Sequence, residues 1–381
     1  MSISLSELLI LGQGSDLASE RGVSCSGELP PASDPHLVER AIAARAALGS
    51  RALILGHHYQ RDEVIQFADI TGDSFKLAQS AAAQSEAEFI FFCGVHFMAE
   101  SADILTSSKQ RVILPDLAAG CSMADMATAN QVDQCWKELE RIGVAAKTVP
   151  VTYMNSSAAI KSFTGEHGGT ICTSSNAQKS LEWAFSKAEK VLFLPDQHLG
   201  RNTAVLSLGL SIEDCVLWNP WKPMGGLTED QIKSAKMILW RGHCSVHGRF
   251  TRETVNEVRS RIPGVQVIVH PECQHEVVLA ADVVGSTEKI IQTVSSSPAG
   301  SKWAIGTELN LVSRLAQNNP DKEVVFLDKT VCYCSTMNRI DLPHLVWAME
   351  SVVAGHIVNE IKVDERVAKY SKLALEQMLA L

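Results

Sequence analysis

Three cysteines of this chain stand in comparable settings, each a short way beyond an aliphatic run. The stretch "RVILPDLAAGC" ends in Cys121, "KMILWRGHC" in Cys244 and "EVVFLDKTVC" in Cys332. None has the C-x-x-C partner of a zinc ribbon, so a metal here would draw its ligands from distant segments. Three thiolates meeting at one centre suit a soft or borderline metal. A [4Fe-4S] cluster normally takes four cysteines. Held by three, it leaves one iron open to a substrate oxygen or water, a Lewis acid able to assist loss of a hydroxyl. Cys334 competes for the third position, or forms an oxidised pair with Cys332, and the repeat spacing favours Cys332. Cys93, Cys135, Cys172 and Cys215 read as small buried hydrophobes.

The elements that must position these sulfurs recur three times as strand, helix, strand, helix, strand. The first strands are "ALILGHHYQ", "VPVTYMNSS" and "VQVIVHPEC". They end in His57 and Tyr59, Tyr153 and Asn155, His270 and Glu272. Helix starts follow at "GDSFKLAQSAA", "TSSNAQKSLEWAF" and "GSTEKIIQTV", opening on Ser, Thr or Asp before apolar residues at helical spacing, with Ser175 and Gln178 spaced as a capping box. The second strands end near His96, His198 and Glu308. From strand-end residue to helix cap the separations are 17 (His57 to Ser74), 21 (Tyr153 to Ser174) and 16 (His270 to Ser286). From second strand end to cysteine they are 25, 46 and 24, so the middle copy carries an insertion near 207–226.

Nearly continuous apolar strands alternating with helices imply parallel sheets covered on both faces, hence an α/β protein of three αβα sandwich domains. Such sheets bind ligands beyond the carboxyl ends of their strands, where every polar residue above lies. Units facing a common axis would gather them, and the three cysteines, around one cavity. The expected divisions are a flexible leader over 1–35, domains over 36–125, 126–247 and 248–335, and C-terminal helices over 336–381 that pack back on the first domain. The last of these, "VDERVAKYSKLALEQMLAL", carries Val363, Val367, Tyr370, Ala374 and Met378 on one stripe.

Bulk properties exclude several classes. A net charge of -9 without a basic tract argues against nucleic acid as a partner. The longest apolar run, "FIFFCGV", is far too short for a membrane span, and no basic segment precedes "LLIL" to make a signal peptide. A cytoplasmic protein with reduced or metal-bound cysteines is expected.

From about Arg51 to its end the chain resembles the quinolinate synthase (NadA) family, through "HHYQ", "TGDS", "YMNSSAAIK", "PDQHLGR", "CSVH", "HPE", "GST" and "TMNRI". The resemblance implies three αβα domains in pseudo-threefold arrangement, with one cysteine from each, here Cys121, Cys244 and Cys332, holding a [4Fe-4S] cluster. It implies condensation of iminosuccinate, supplied by an L-aspartate oxidase, with dihydroxyacetone phosphate, giving quinolinate, phosphate and two waters. The "CYCSTMN" context departs from the single-cysteine "CPxxxMN" of many relatives.

Under that resemblance Glu272 is the expected catalytic base, with His57, Tyr59 and His198 as further catalytic groups. Tyr153, Asn155, His57 and His270 are expected to contact substrate. Ser74, Ser174, Ser286 and Thr287, at helix N-termini, suit carboxylates and phosphate, the alternative being ordinary caps. His247, Lys161 and Arg201 are weaker candidates for substrate contact. The rival expectations are a cluster enzyme of the diphthamide-synthesis type and a cluster-bearing redox sensor without turnover.

Overall fold

Short apolar runs punctuated by capped helices build the same unit three times along the chain. The computed structural model describes residues 29–330 and 333–381, so most of the expected leader, and Cys332, lie outside the described residues. After helix α1 (Leu37–Leu48) the first copy runs β1 (Ala52–His57), α2 (Asp62–Ile65), β2 (Ile70–Gly72), α3 (Ser74–Ala83), β3 (Phe89–Cys93), α4 (His96–Leu105) and β4 (Arg111–Ile113). Helix α5 (Ala129–Arg141) leads to the second: β5 (Thr148–Tyr153), α6 (Ala158–Glu166), β6 (Thr170–Cys172), α7 (Ala177–Lys187), β7 (Lys190–Leu194), α8 (Gln197–Asn202), β8 (Cys215–Trp218), α9 (Glu229–Ser234) and β9 (Met237–Trp240). The third follows α10 (Arg252–Arg261) as β10 (Gln266–Val269), α11 (His275–Ala280), β11 (Val283–Val284), α12 (Thr287–Ser296), β12 (Lys302–Gly306), α13 (Leu309–Asn318) and β13 (Glu323–Phe326). The chain closes with α14 (Leu342–Val353), β14 (Glu360–Ile361) and α15 (Glu365–Leu379).

The three sheets have the orders β14-β4-β3-β1-β2, β6-β5-β7-β9-β8 and β11-β10-β12-β13. Every pairing is parallel except β14 on β4. Strands β1, β3, β7 and β9 are buried along their whole length, as parallel strands covered by helices on both faces must be. The architecture is therefore α/β with αβα layers around three sheets.

Each copy contains one strand that the apolar runs did not announce. Strands β2, β6 and β11 are two or three residues long, too short to show a period in sequence. They nonetheless set the level of the functional loops. His57 pairs with Gly72, Tyr153 with Cys172 and Val269 with Val284, so the last residue of each central strand lies level with the end of its short neighbour. The insertion of the second copy likewise contains an edge strand, β8, rather than turns alone. It pairs with β9 and sets Trp218 beside Trp240.

Two compact units group these elements. One holds the first sheet and takes in the chain up to Gly72, Leu77–Gly120 and Ser335–Lys362, while the other holds the second and third sheets in Asp73–Lys76, Cys121–Cys334 and Val363–Leu381. In the first unit α14 packs on α1, and Arg40 clamps Glu350 through Nε at 2.9 Å and Nη2 at 2.6 Å. In the second unit α15 packs on α6 and β6, so the last helix does not join α14 in packing on the first domain as the stripe had suggested. The reason is steric. The face of α15 that becomes buried is Ser371, Ala374, Leu375 and Met378, and Ser371 Oγ donates to the Ala158 carbonyl at 2.9 Å. Opposite it, Gly165 leaves no Cβ in the way: one placed there would stand 2.0 Å from the Tyr370 carbonyl oxygen.

That contact generates the first prediction. Gly165→Ala must push α15 off α6, because the obstacle is backbone and cannot rotate away. A loss of about 2 kcal/mol is expected, in the range of overpacked interiors. Urea unfolding measures it, and an unchanged midpoint would show that α15 does not dock this closely.

Candidate metal centre and acid-base site

The site assembles in the second unit from loops at the carboxyl ends of parallel strands. Cys121 begins the segment leading to α5, Cys244 lies four residues beyond β9, and Cys334 follows β13. Burial first, and then the mutual charge of these sulfurs and of Glu272, acts against ionisation. The Cys121 thiol is pushed up to about 12 by burial, partly offset by the Ala124 and Met123 amides, and raised further by Cys334 and Glu272. Cys244 is raised well above the usual thiol range by burial, by Glu272, and by Cys121 and Cys334. Among the described residues the structure thus brings Cys121 and Cys244 together with Cys334. Cys332, expected as the third ligand, lies outside the described residues.

A second set of groups adjoins the sulfurs. Cys244 Sγ, one ring nitrogen of His247 and one oxygen of Glu272 all lie within 4.8 Å of one another. His247 Nδ1 meets Glu272 Oε2 at 2.9 Å, and its Nε2 meets Thr307 Oγ1 at 3.2 Å, so both ring nitrogens are engaged. The His270 ring stacks on His247 with centroids 4.6 Å apart, and its Nδ1 lies 3.8 Å from Glu272 Oε1. All three are almost completely buried, His247, His270 and Glu272 each exposing 2% of their surface.

Burial alone would push the Glu272 carboxyl up. The charges of His247 and His270 and hydrogen bonds from His247 and Tyr153 outweigh it and hold the group below the usual carboxylate range. His270 goes the other way: burial and His247 lower it to about 3 against the pull of Glu272, so the ring is neutral at ordinary pH. His198 is lowered to about 4 by burial and by the neighbouring Arg201, His243 and His275, with Glu272 opposing. Its Nδ1 is buried without a hydrogen-bond partner among the described residues. The arrangement is an ionised carboxylate hydrogen-bonded to His247 with neutral His270 beside it, next to Cys121 and Cys244, whose thiols resist ionisation.

The donor set fits a metal better than it fits an empty core. Thiols as ligands must give up their protons, and such sulfurs beside a buried carboxylate are costly unless a cation neutralises them. Cys121, Cys244 and Cys334 lie on three separate loops with no C-x-x-C pair, unlike the ligands of a zinc ribbon, and three thiols with an adjoining carboxylate are a donor set that fits an iron-sulfur cluster.

The other sequence candidates fall into three groups. Tyr153 is tied to Glu272, and Asn155 is half-buried just past the same strand. Ser286 caps α12, its Oγ accepting from the Lys289 amide at 3.4 Å, and Thr287 is the first helical residue, both largely buried. Ser74 opens α3, but the cap is Asp73, whose Oδ1 accepts from the Phe75 and Lys76 amides. Ser174 is not at a helix start: α7 begins at Ala177 after Asn176, and the expected Ser175–Gln178 capping box does not form, because Asn176 turns its side chain back to the Thr173 amide at 2.6 Å. In the first unit, His57 is buried at the end of β1. Tyr59 packs edge-on against it at 4.8 Å and donates its backbone N–H to His57 Nδ1 at 3.1 Å. Lys161 is fully buried and donates to the Ser156 carbonyl, a structural role.

Sequence reasoning passed over Asp196, Thr307 and the charge of Glu308. Thr307 and Glu308 directly follow β12, and Glu308 caps α13, its Oε2 accepting from the Asn310 amide at 2.8 Å and the Leu311 amide at 3.3 Å, while Oε1 faces the Cys334 amide at 3.4 Å. Their signal was available: each stands within two residues of a strand end, the rule that found the others.

The chain matches the family model described as Quinolinate synthetase A protein over residues 40–380. It is 69% identical to the quinolinate synthase of Streptomyces coelicolor over 98% of this chain and 95% of the relative. For the quinolinate synthase of Nocardioides the values are 67%, 100% and 98%, and for that of Acidobacterium capsulatum 55%, 91% and 93%.

Burial raises the Glu308 carboxyl to about 7, against the opposing amides of Leu311, Cys334 and Asn310 and the charge of Arg314. A carboxyl raised in the folded state adds stability that is complete below its unfolded value, near 4.5, and disappears as pH rises through 7. Metal-free protein is therefore expected to lose up to about 3 kcal/mol between pH 4.5 and 8 relative to Glu308→Gln, which keeps an acceptor for the amides. Parallel pH profiles of the two proteins would refute this if the difference between them stayed constant.

Proposed function

Since the chain belongs to the quinolinate synthetase A family, we propose that it condenses iminosuccinate with dihydroxyacetone phosphate to quinolinate, releasing phosphate and two waters, in the synthesis of NAD. The observation that carries this reading is the juxtaposition of Cys121, Cys244 and Cys334 with the His247–Glu272 pair. The sulfurs would hold a [4Fe-4S] cluster, which when bound supplies an open iron as a Lewis acid toward a substrate hydroxyl. Cys121 and Cys244 are two of its ligands. The third is drawn from Cys332, which the repeat spacing and the resemblance favour, and Cys334, which lies near enough to both other sulfurs to raise them.

The protein's own groups then divide the work. Glu272 is ionised, buried and oriented, the state needed to take a proton from a carbon or hydroxyl during condensation and dehydration. Thr307 at His247 Nε2 turns Nδ1 toward Glu272, and Tyr153 fixes the carboxylate from another side. His198 and neutral His270 can each donate or accept at a nitrogen without carrying a charge of their own. Asn155, Ser286, Thr287, Ser174 and Ser74 bind the carboxylates and phosphate. His57 and Tyr59 exchange protons with the triose. Iminosuccinate reaches the enzyme from an L-aspartate oxidase, and we place both in the cytoplasm, where thiols stay reduced. No described helix is long and apolar enough to cross a membrane.

Anaerobically reconstituted protein is expected to hold about four iron and four sulfide per chain and to form quinolinate from the two substrates. Cys121→Ser and Cys244→Ser abolish both, whereas Cys93→Ser and Cys135→Ser, buried in sheet and helix, leave both unchanged. Separate serine variants at 332 and 334 assign the third ligand, which is the one whose loss removes the cluster. Bound zinc in place of iron, or a loaded cluster without quinolinate, would defeat the proposal.

Glu272→Gln separates acid-base work from cluster holding. The variant is expected to keep its iron while kcat falls by about 10²–10⁴, the usual worth of a positioned base. Steady-state rates at saturating substrate test this, and an unaltered kcat would remove Glu272 from the reaction.

A further inference from the structure

The loop that carries Cys244 is seated on the turn that follows β7. Asp196 and Gly242 form a parallel bridge there, and the Gln197 amide donates to the Gly242 carbonyl at 2.9 Å. The approach is closer than any side chain would allow. A Cβ on Gly242 would stand 2.3 Å from the Pro195 carbonyl oxygen.

Asp196 is completely buried at the centre of this contact. Its Oδ1 accepts from the Leu199 amide at 2.6 Å, which caps α8, and the backbone amides of His198 and Cys244 lie near enough to the carboxyl to oppose the rise that burial imposes on it. Oδ2 is buried with no hydrogen-bond partner among the described residues. Capping does not require this arrangement, because a serine caps a helix equally well without burying an acid. What the longer side chain adds is reach, from the first turn of α8 to the amide of Cys244.

We infer that Asp196 is a positioning residue for Cys244: with Gly242 it fixes the backbone at Cys244, and so the direction of its sulfur toward those of Cys121 and Cys334. This rests on Cys244 being a cluster ligand, as proposed above. The same turn sets His198 beside Glu272, so one buried carboxyl braces a ligand loop and a site histidine together.

Three variants of the full chain isolate the role. Asp196→Asn keeps the acceptor oxygen and the length. Asp196→Ser keeps the cap on Leu199 and loses the reach to Cys244. Gly242→Ala leaves Asp196 intact and forces the loop off its seat. Each is reconstituted anaerobically, and iron release to a chelator is followed beside the visible spectrum of the cluster. Release is expected to be about 10-fold faster from Asp196→Ser and Gly242→Ala, the usual effect of losing a group that orients a ligand, and within about 2-fold of wild type from Asp196→Asn. Melting of the metal-free proteins shows whether the serine cap has held. If Asp196→Ser does not fold, Gly242→Ala and Asp196→Asn decide. Wild-type release from Gly242→Ala, or equally fast release from Asp196→Asn and Asp196→Ser, would overturn the inference. Wild-type protein that takes up no iron and sulfide would overturn the cluster reading itself, a distinct result.

Discussion

Everything in the second unit is arranged around the cost of burying like charge. Cys334 and Glu272 make it harder for the buried Cys121 and Cys244 to ionise, beyond what burial alone does. Glu272 escapes by recruitment: the neighbouring His247 and His270 rings and hydrogen bonds from His247 and Tyr153 hold it below the usual carboxylate range. The sulfurs have no such escort, and a positively charged group shared among them is the remaining way to lower the cost. The division is between a carboxylate that its neighbours keep ionised and thiols that burial keeps protonated.

Parallel topology makes the division possible. In each copy the central strand and its short neighbour end at the same level, so the chain leaves both at one rim, and helix amides open there as well. A backbone amide is a donor that needs no proton taken up and no rotamer fixed, which is why Cys121, Cys244, Asp196 and Glu308 all face amides. These dipoles are the protein's substitute for water around groups it has removed from solvent. Glycine is needed where loops must approach at backbone distance, as at Gly242 against Pro195, and where helices must, as at Gly165 against Tyr370.

Relatives named quinolinate synthase align over nearly the whole chain, and Cys244, His247, His270 and Glu272 sit in the "CSVH" and "HPE" stretches that carry the resemblance. Charge and burial add what similarity does not supply: His247 is hydrogen-bonded to Glu272, and the His270 ring is neutral.

The sequence by itself determined the three repeats, the placing of polar residues at strand ends, and the pairing of Cys121 with Cys244, because long apolar runs and capped helices are local signals that survive without a fold. It did not show β2, β6 and β11, whose two or three residues are too few for any periodicity, nor β8 inside the insertion. It suggested that the last helix would pack on the first domain, whereas α15 lies on α6, since the glycine that admits it, Gly165, is some two hundred residues away in the chain. Tertiary structure alone decided which groups share a low-dielectric space, and with that the ionised state of Glu272, the neutral state of His270 and the work of Asp196. Charge states depend on burial and on neighbours brought from distant loops, and neither is written in a linear chain.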